Sequence, residues 1–155
     1  MFKKKYEDKD IRLIGNWDMT LRGADGAVKQ QVSGQNVIVE NGKEFLASFL
    51  NSAATAASTF LMRYVAIGTD ATAEASSNTA LGTEVSRHTG TVTYTSGALY
   101  EVVATFAAGS GTGAIAEYGL FSANSAGTMF SRDTEAVINK GASDSLSVTT
   151  KVTVG

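Results

Sequence analysis

The chain carries one histidine and no cysteine, so the residues that could do chemistry are few. Thiolate metal sites, cysteine nucleophiles and disulfide frameworks are excluded outright. His88 is the only imidazole, and a serine–histidine–aspartate triad would have to use it. It follows Arg87 in a polar segment that reads as strand, which places it at the surface. No Gly-x-Ser-x-Gly elbow is available to hold a nucleophile. Gly109-Ser-Gly-Thr-Gly113 resembles a phosphate loop in its glycines alone. Ala114-Ile-Ala-Glu117 follows where a Lys-Ser/Thr pair and a helix are needed, so the motif reads as a glycine turn between strands. Asp70 and Glu74 share one loop without the alternating aspartates of a calcium loop. Glu101, Glu117, Asp133 and Glu135 are scattered along strand-like segments, and Trp17, the sole tryptophan, alternates with core positions rather than forming a sugar platform. The expectation is a non-enzymatic protein with no catalytic residues, no cofactor and no metal.

Charge gives one further candidate. Eight of the 28 charged residues lie in the first twelve positions, five of them basic. Lys3, Lys4, Lys5, Tyr6 and Arg12 are the candidate partner-contact residues. The segment reads either as a solvated terminus or as an arm that docks on an acidic protein surface. Three acids within the same stretch and a net charge of −2 oppose a nucleic-acid role. No apolar run follows the basic opening, so no export signal is read, and the apolar stretch 60–67 is too short to span a membrane.

These residues need a scaffold, and the composition indicates its kind. With 22 Ala, 18 Thr, 15 Ser and 16 Gly, small residues make up 46% of 155 positions, and proline is absent. A chain of this length forms one domain, here with a thin core that relies on backbone pairing. Leu13, Gly15, Trp17, Met19 and Leu21 alternate, predicting a strand that turns at Asp25-Gly26 into a polar return strand, a hairpin over 13–33. Residues 35–40 form a separate short strand in this reading. Asn41 and Glu44 suit a helix start, and Phe45, Leu46, Phe49, Leu50 and Ala53 form one apolar face, predicting a helix over about 42–56. Residues 60–67, 84–95, 98–106, 114–122, 128–138 and 146–154 read as strands. The long polar loop 69–82 reads as a contact loop. The expected fold is mainly β: one antiparallel sandwich or jelly-roll-like domain over 13–155, with strands from 60 to 155, one helix, and a charged arm over 1–12.

Several segments add a resemblance. Val39-Glu-Asn-Gly-Lys-Glu-Phe-Leu46, Tyr64-Val-Ala-Ile-Gly-Thr-Asp70 and Asn78-Thr-Ala-Leu-Gly-Thr-Glu-Val-Ser-Arg87 occur in that order. Gly113-Ala-Ile-Ala-Glu-Tyr-Gly-Leu-Phe121, Gly127-Thr-Met-Phe-Ser-Arg132 and Val137-Ile-Asn-Lys-Gly-Ala-Ser-Asp-Ser-Leu146 follow. The succession resembles small virion structural proteins of tailed bacteriophages, a group spanning capsid decoration (cement), head-fibre and tail-fibre-like components. The resemblance implies no catalytic residues. It implies a homo-oligomer, a trimer being favoured, made in the host cytoplasm and resident in the virion, with the major capsid protein as partner. The alternative is a tail fibre, baseplate or adaptor component. A carbohydrate-binding module of the same architecture is a third class, opposed by the shortage of exposed aromatic residues.

Overall fold

A computed structural model describes residues 12–50, 61–95 and 99–155. Nine strands and one helix follow in the order β1 (Leu13–Arg22), β2 (Val28–Ile38), α1 (Glu40–Leu50), β3 (Tyr64–Gly68), β4 (Glu84–Thr89), β5 (Thr91–Thr95), β6 (Leu99–Phe106), β7 (Gly113–Phe121), β8 (Met129–Lys140) and β9 (Ser145–Val154). All nine strands join one antiparallel sheet in the order β4-β3-β7-β8-β2-β1-β9-β6-β5. The sheet curls into a nearly closed, sandwich-like barrel, and the expected mainly-β antiparallel fold with one helix is what the chain adopts.

The alternation in β1 sets the inner face. Trp17, Met19 and Leu21 are buried there, joined by Val102, Ala104 and Phe106 from β6 and by Leu146, Val148 and Val152 from β9. Val65, Ile67, Ile115, Tyr118, Leu120 and Ile138 complete the interior from the other side. The Asp25-Gly26 turn forms as its sequence predicts, with Gly26 at φ 80°. Gly109 and Gly111 take φ 81° and 62° in the β6–β7 connection, so the glycine motif is a turn.

The expected strand 60–67 begins only at Tyr64, residues 61–63 being outside any strand, and three larger differences from the sequence expectation matter more. Residues 28–38 form one strand rather than two, because Gly34 continues the ladder opposite Trp17. Its missing side chain leaves the space that the Glu135 carboxylate fills. The helix starts at Glu40, not Asn41: the Val39 carbonyl accepts the first-turn N–H groups of Gly42 and Lys43 at 3.0 and 3.2 Å. Gly42 permits this position, since a side chain there would strike the Phe130 backbone, and the helix lays Phe45 and Leu46 on the main core. The expected helix residues beyond Leu50 lie outside the described residues.

The third difference shapes the whole molecule. Residues 84–95 are not one strand but two, β4 and β5, which lie at opposite margins of the sheet and are joined only by Gly90. The chain thus bends at Gly90 and bridges the two margins. Gly90 N–H donates to the Arg63 carbonyl at 2.6 Å, and the Tyr100 hydroxyl donates to the Met62 carbonyl at 2.5 Å across the same seam. A Cβ at Gly90 would overlap a Val102 methyl and approach the Arg63 carbonyl oxygen at 3.1 Å. Gly90→Ala is therefore expected to lower the urea midpoint by the equivalent of roughly 1–3 kcal/mol with an unchanged slope.

Candidate functional site

The residues with chemical potential fall into three groups, and each is placed by a different element. The first lies at the seam. Ser86 and His88 sit on β4 opposite Ile67 and Val65, on the inner side of this edge strand, and both are half-buried rather than fully at the surface as the sequence suggested. The His88 ring lies 4.6 Å from the Phe106 ring. Its Nε2 is 2.9 Å from Ser110 Oγ, Ser110 Oγ is 3.2 Å from Ser86 Oγ, and its Nδ1 is 3.1 Å from the Thr105 carbonyl. A serine–histidine contact thus exists, but the third partner is a main-chain carbonyl, not a carboxylate. The relay ties β4 to β6 and to the glycine turn. It closes the barrel where no ladder hydrogen bonds run.

The second group is an ion pair under the long loop. Glu117 in β7 and Arg132 in β8 point to the outer face, and both are buried. Glu117 accepts backbone N–H groups from Thr83 at 2.7 Å, Gly82 at 2.9 Å and Asp70 at 3.3 Å. It also accepts Arg132 Nη2 at 2.9 Å and Nε at 3.1 Å. Five donors saturate the carboxylate. The remaining Arg132 nitrogen donates to Asn78 Oδ1 at 3.1 Å and to the Ala73 carbonyl at 3.5 Å. Asp70 accepts the hydroxyl and N–H of Thr72 at 2.7 and 2.9 Å, and these bonds hold its carboxyl below the usual range. Thr134 donates to Glu74, and Glu40 N–H donates to the Ser76 carbonyl at 2.8 Å.

The consequence is a long loop, 69–83, with no ladder bonding of its own yet fixed at several points along its length. Leu81 anchors it in a small outer core with Val39, Ala66, Phe121 and Met129. What it presents outward is small and uncharged: Ala71, Ala73, Ala75, Ser76, Ser77 and Ala80 are exposed. Such a surface is preorganised, and docking on it would cost little ordering entropy. The sequence marked this loop for contact but gave no sign of its rigidity.

The third group faces inward at the junction of β8, β2 and β1. Asp133 is opposite Tyr118 in the β7–β8 ladder and is 1% exposed. Neither carboxylate oxygen has a hydrogen-bond partner among the described residues, nor do the Tyr118 hydroxyl, Trp17 Nε1 or either amide atom of Asn36. Burial pushes the Asp133 carboxyl up to about 7, helped by the Glu135 and Glu74 carboxylates. The Thr134 backbone N–H pulls weakly the other way without reaching hydrogen-bond geometry. Burial first, then Asp133 and Glu135, raises the Tyr118 hydroxyl.

Of the residues proposed for partner contact, Arg12 is exposed, and its backbone pairs with Gly155 at 2.6 and 2.9 Å, extending the β1–β9 ladder. Lys3, Lys4, Lys5 and Tyr6 lie outside the described residues. Among the described residues no group of three His, Cys, Asp or Glu side chains is arranged to hold a metal, and no helix is long and apolar enough to cross a membrane. Comparison with protein-family models, with curated proteins and with solved structures returns no match.

Proposed function

We propose that the chain is a non-enzymatic structural protein of a phage virion, and within the virion a capsid decoration protein. Copies, as trimers, sit on the outer surface of the major capsid protein shell and stabilise it. The observation that carries this reading is the clamped loop 69–83, a small-residue surface held rigid by a buried ion pair. It suits a protein whose work is to fit against another surface. The order of segments that resembles virion proteins supports the same reading. The chemically capable side chains are also consistent with it: Glu117 and Arg132 hold the loop, and His88 closes the barrel. The charged segment with Lys3, Lys4, Lys5, Tyr6 and Arg12 lies along the shell in this arrangement.

Cementing needs no single strong contact, since weak contacts repeated by symmetry gain through effective concentration. Purified protein is expected to bind capsids that lack it and to raise their thermal disruption temperature. Ser77→Arg, at an exposed position of the loop, should weaken that binding at least tenfold while leaving the melting temperature of the free protein unchanged. Absence of binding, or binding to isolated tails only, overturns the assignment; the second result would point to a tail component instead.

A further inference from the structure

The inward polar group at the β8–β2–β1 junction is not explained by a structural role. The β2–β8 ladder pairs Val37 with Arg132 and Ile38 with Ser131. Continued by three further steps, this register sets Asn36 opposite Asp133 and Gly34 opposite Glu135. The contact between the Glu135 carboxylate and the side-chain space of Gly34 shows that the continuation holds. Gly15 acts in the same way on the adjacent strand, its missing side chain leaving room for the Asn36 amide. Two glycines in neighbouring strands thus clear space on the inner face, and an amide and a carboxylate occupy it. The fully buried Tyr118 is directly opposite Asp133 on the adjacent strand, its hydroxyl unpartnered.

We propose that Asp133 and Glu135 form a binding site for a hard divalent cation of the calcium type, with the Tyr118 hydroxyl facing the bound ion or its water and the Asn36 amide, which leans over Gly15, reached through water. The donors are all oxygens, which selects against soft metals. A proton shared between the two carboxylates would remove one charge but leave the Asn36 amide and the Tyr118 hydroxyl without partners. A cation carrying water satisfies both, because its waters donate and accept in several directions. Two carboxylates and neutral oxygens, rather than three acids, make a weak site, and calcium tolerates the irregular geometry that magnesium does not. Glu135 and Asn36 are partly exposed, so an entry path exists on their side. The expected affinity is of the order of 10⁻⁴–10⁻³ M, the range of sites with low ligand charge.

Terbium is a suitable probe because Trp17, the sole tryptophan, has its ring 6.0 Å from that of Tyr118 and would sensitise an ion held beside it. Titration of the full chain with terbium is expected to give sensitised emission that calcium displaces. Asp133→Asn should weaken terbium binding at least tenfold, as should Glu135→Gln. Calcium should raise the melting temperature of the parent but not of Asp133→Asn. The first variant removes an unpartnered buried charge, so it folds and the comparison remains readable. No sensitised emission from the parent, or emission equal in parent and both variants, overturns the site. These readouts do not depend on capsid binding, so the cation site and the decoration role stand or fall separately.

Discussion

Replacing Arg132 with methionine is expected to destabilise the fold by about 3–5 kcal/mol, among the largest effects of any single side chain in the molecule. The reason is the state in which it leaves Glu117. That carboxylate is fully buried and keeps its three backbone donors from the loop, but it loses the one cation paired with it among the described residues. The energy at stake is the uncompensated charge rather than the net worth of the pair. Pairing Arg132→Met with Glu117→Gln should therefore recover much of the loss, since an amide keeps an acceptor for the loop N–H groups and carries no charge. Urea unfolding of both variants checks this, and a double variant less stable than the single one would overturn the account. Amide exchange adds local information: the Gly82 and Thr83 N–H groups should lose protection in Arg132→Met before the barrel strands do. Because the same clamp holds the loop proposed to dock, the variant should, under the proposed decoration role, also bind capsids more weakly even where it remains folded.

The second large effect concerns Asp133 in metal-free buffer. Its carboxyl is raised to about 7 in the folded chain and returns to the ordinary range, near 3.8, when the chain unfolds. Between those values the folded state holds a proton that the unfolded state has lost. Stability must then fall as pH rises from about 4 to about 7, with a slope approaching 1.4 kcal/mol per pH unit from this group, and the penalty is complete above pH 7. Asp133→Asn removes that dependence. At pH 8 in chelator it should be more stable than the parent by on the order of 2–4 kcal/mol, and at pH 4 nearly equal to it. The groups facing Asp133 are Glu135, Glu74 and Tyr118, and the two carboxylates steepen the effect in the same direction. Denaturation midpoints of both proteins across that range are the measurement. Equal stability at pH 8 would show that the carboxylate already has a partner.

Local periodicity carried much of the fold. The alternation of Trp17, Met19 and Leu21, the Asp25-Gly26 turn and the Phe45-Leu46 part of the apolar face of α1 depend on near neighbours, and they appear where those neighbours dictate. Gly90 was hidden because Glu84–Thr95 is polar, threonine-rich and unbroken in pattern; only the change of neighbours, from β3 to β6, divides it. Gly34 misled in the opposite direction, resembling a break although Glu135 replaces its side chain from another strand. The buried acids were hidden for a third reason. In an ordinary half-wet strand an acid belongs to solvent, but residues 115–121 of β7 are buried on both faces, by the core inside and by the loop and outer cluster outside. A glutamate inside the run Ile115-Ala-Glu-Tyr-Gly-Leu-Phe121 was the available signal, since such a run leaves no face for solvent.

The neighbours of β1 have a consequence for biosynthesis. Its partners are β2, a hairpin away, and β9, whose Val154 pairs with Leu13. While the chain is being made, the β1–β2 hairpin leaves the ribosome with both edges, the β9 side of β1 and the β8 side of β2, and its whole apolar face uncovered. At about 5–20 residues per second, residues 145–154 follow roughly ten seconds later. The barrel cannot close before then, and pairing between such distant segments is slow in its own right. In that interval the hairpin is open to pairing with other nascent chains on the same message. Its solvent-facing Asp18, Lys29, Gln31 and Ser33 keep that exposed ribbon polar on one side, which disfavours such pairing until the last strand arrives.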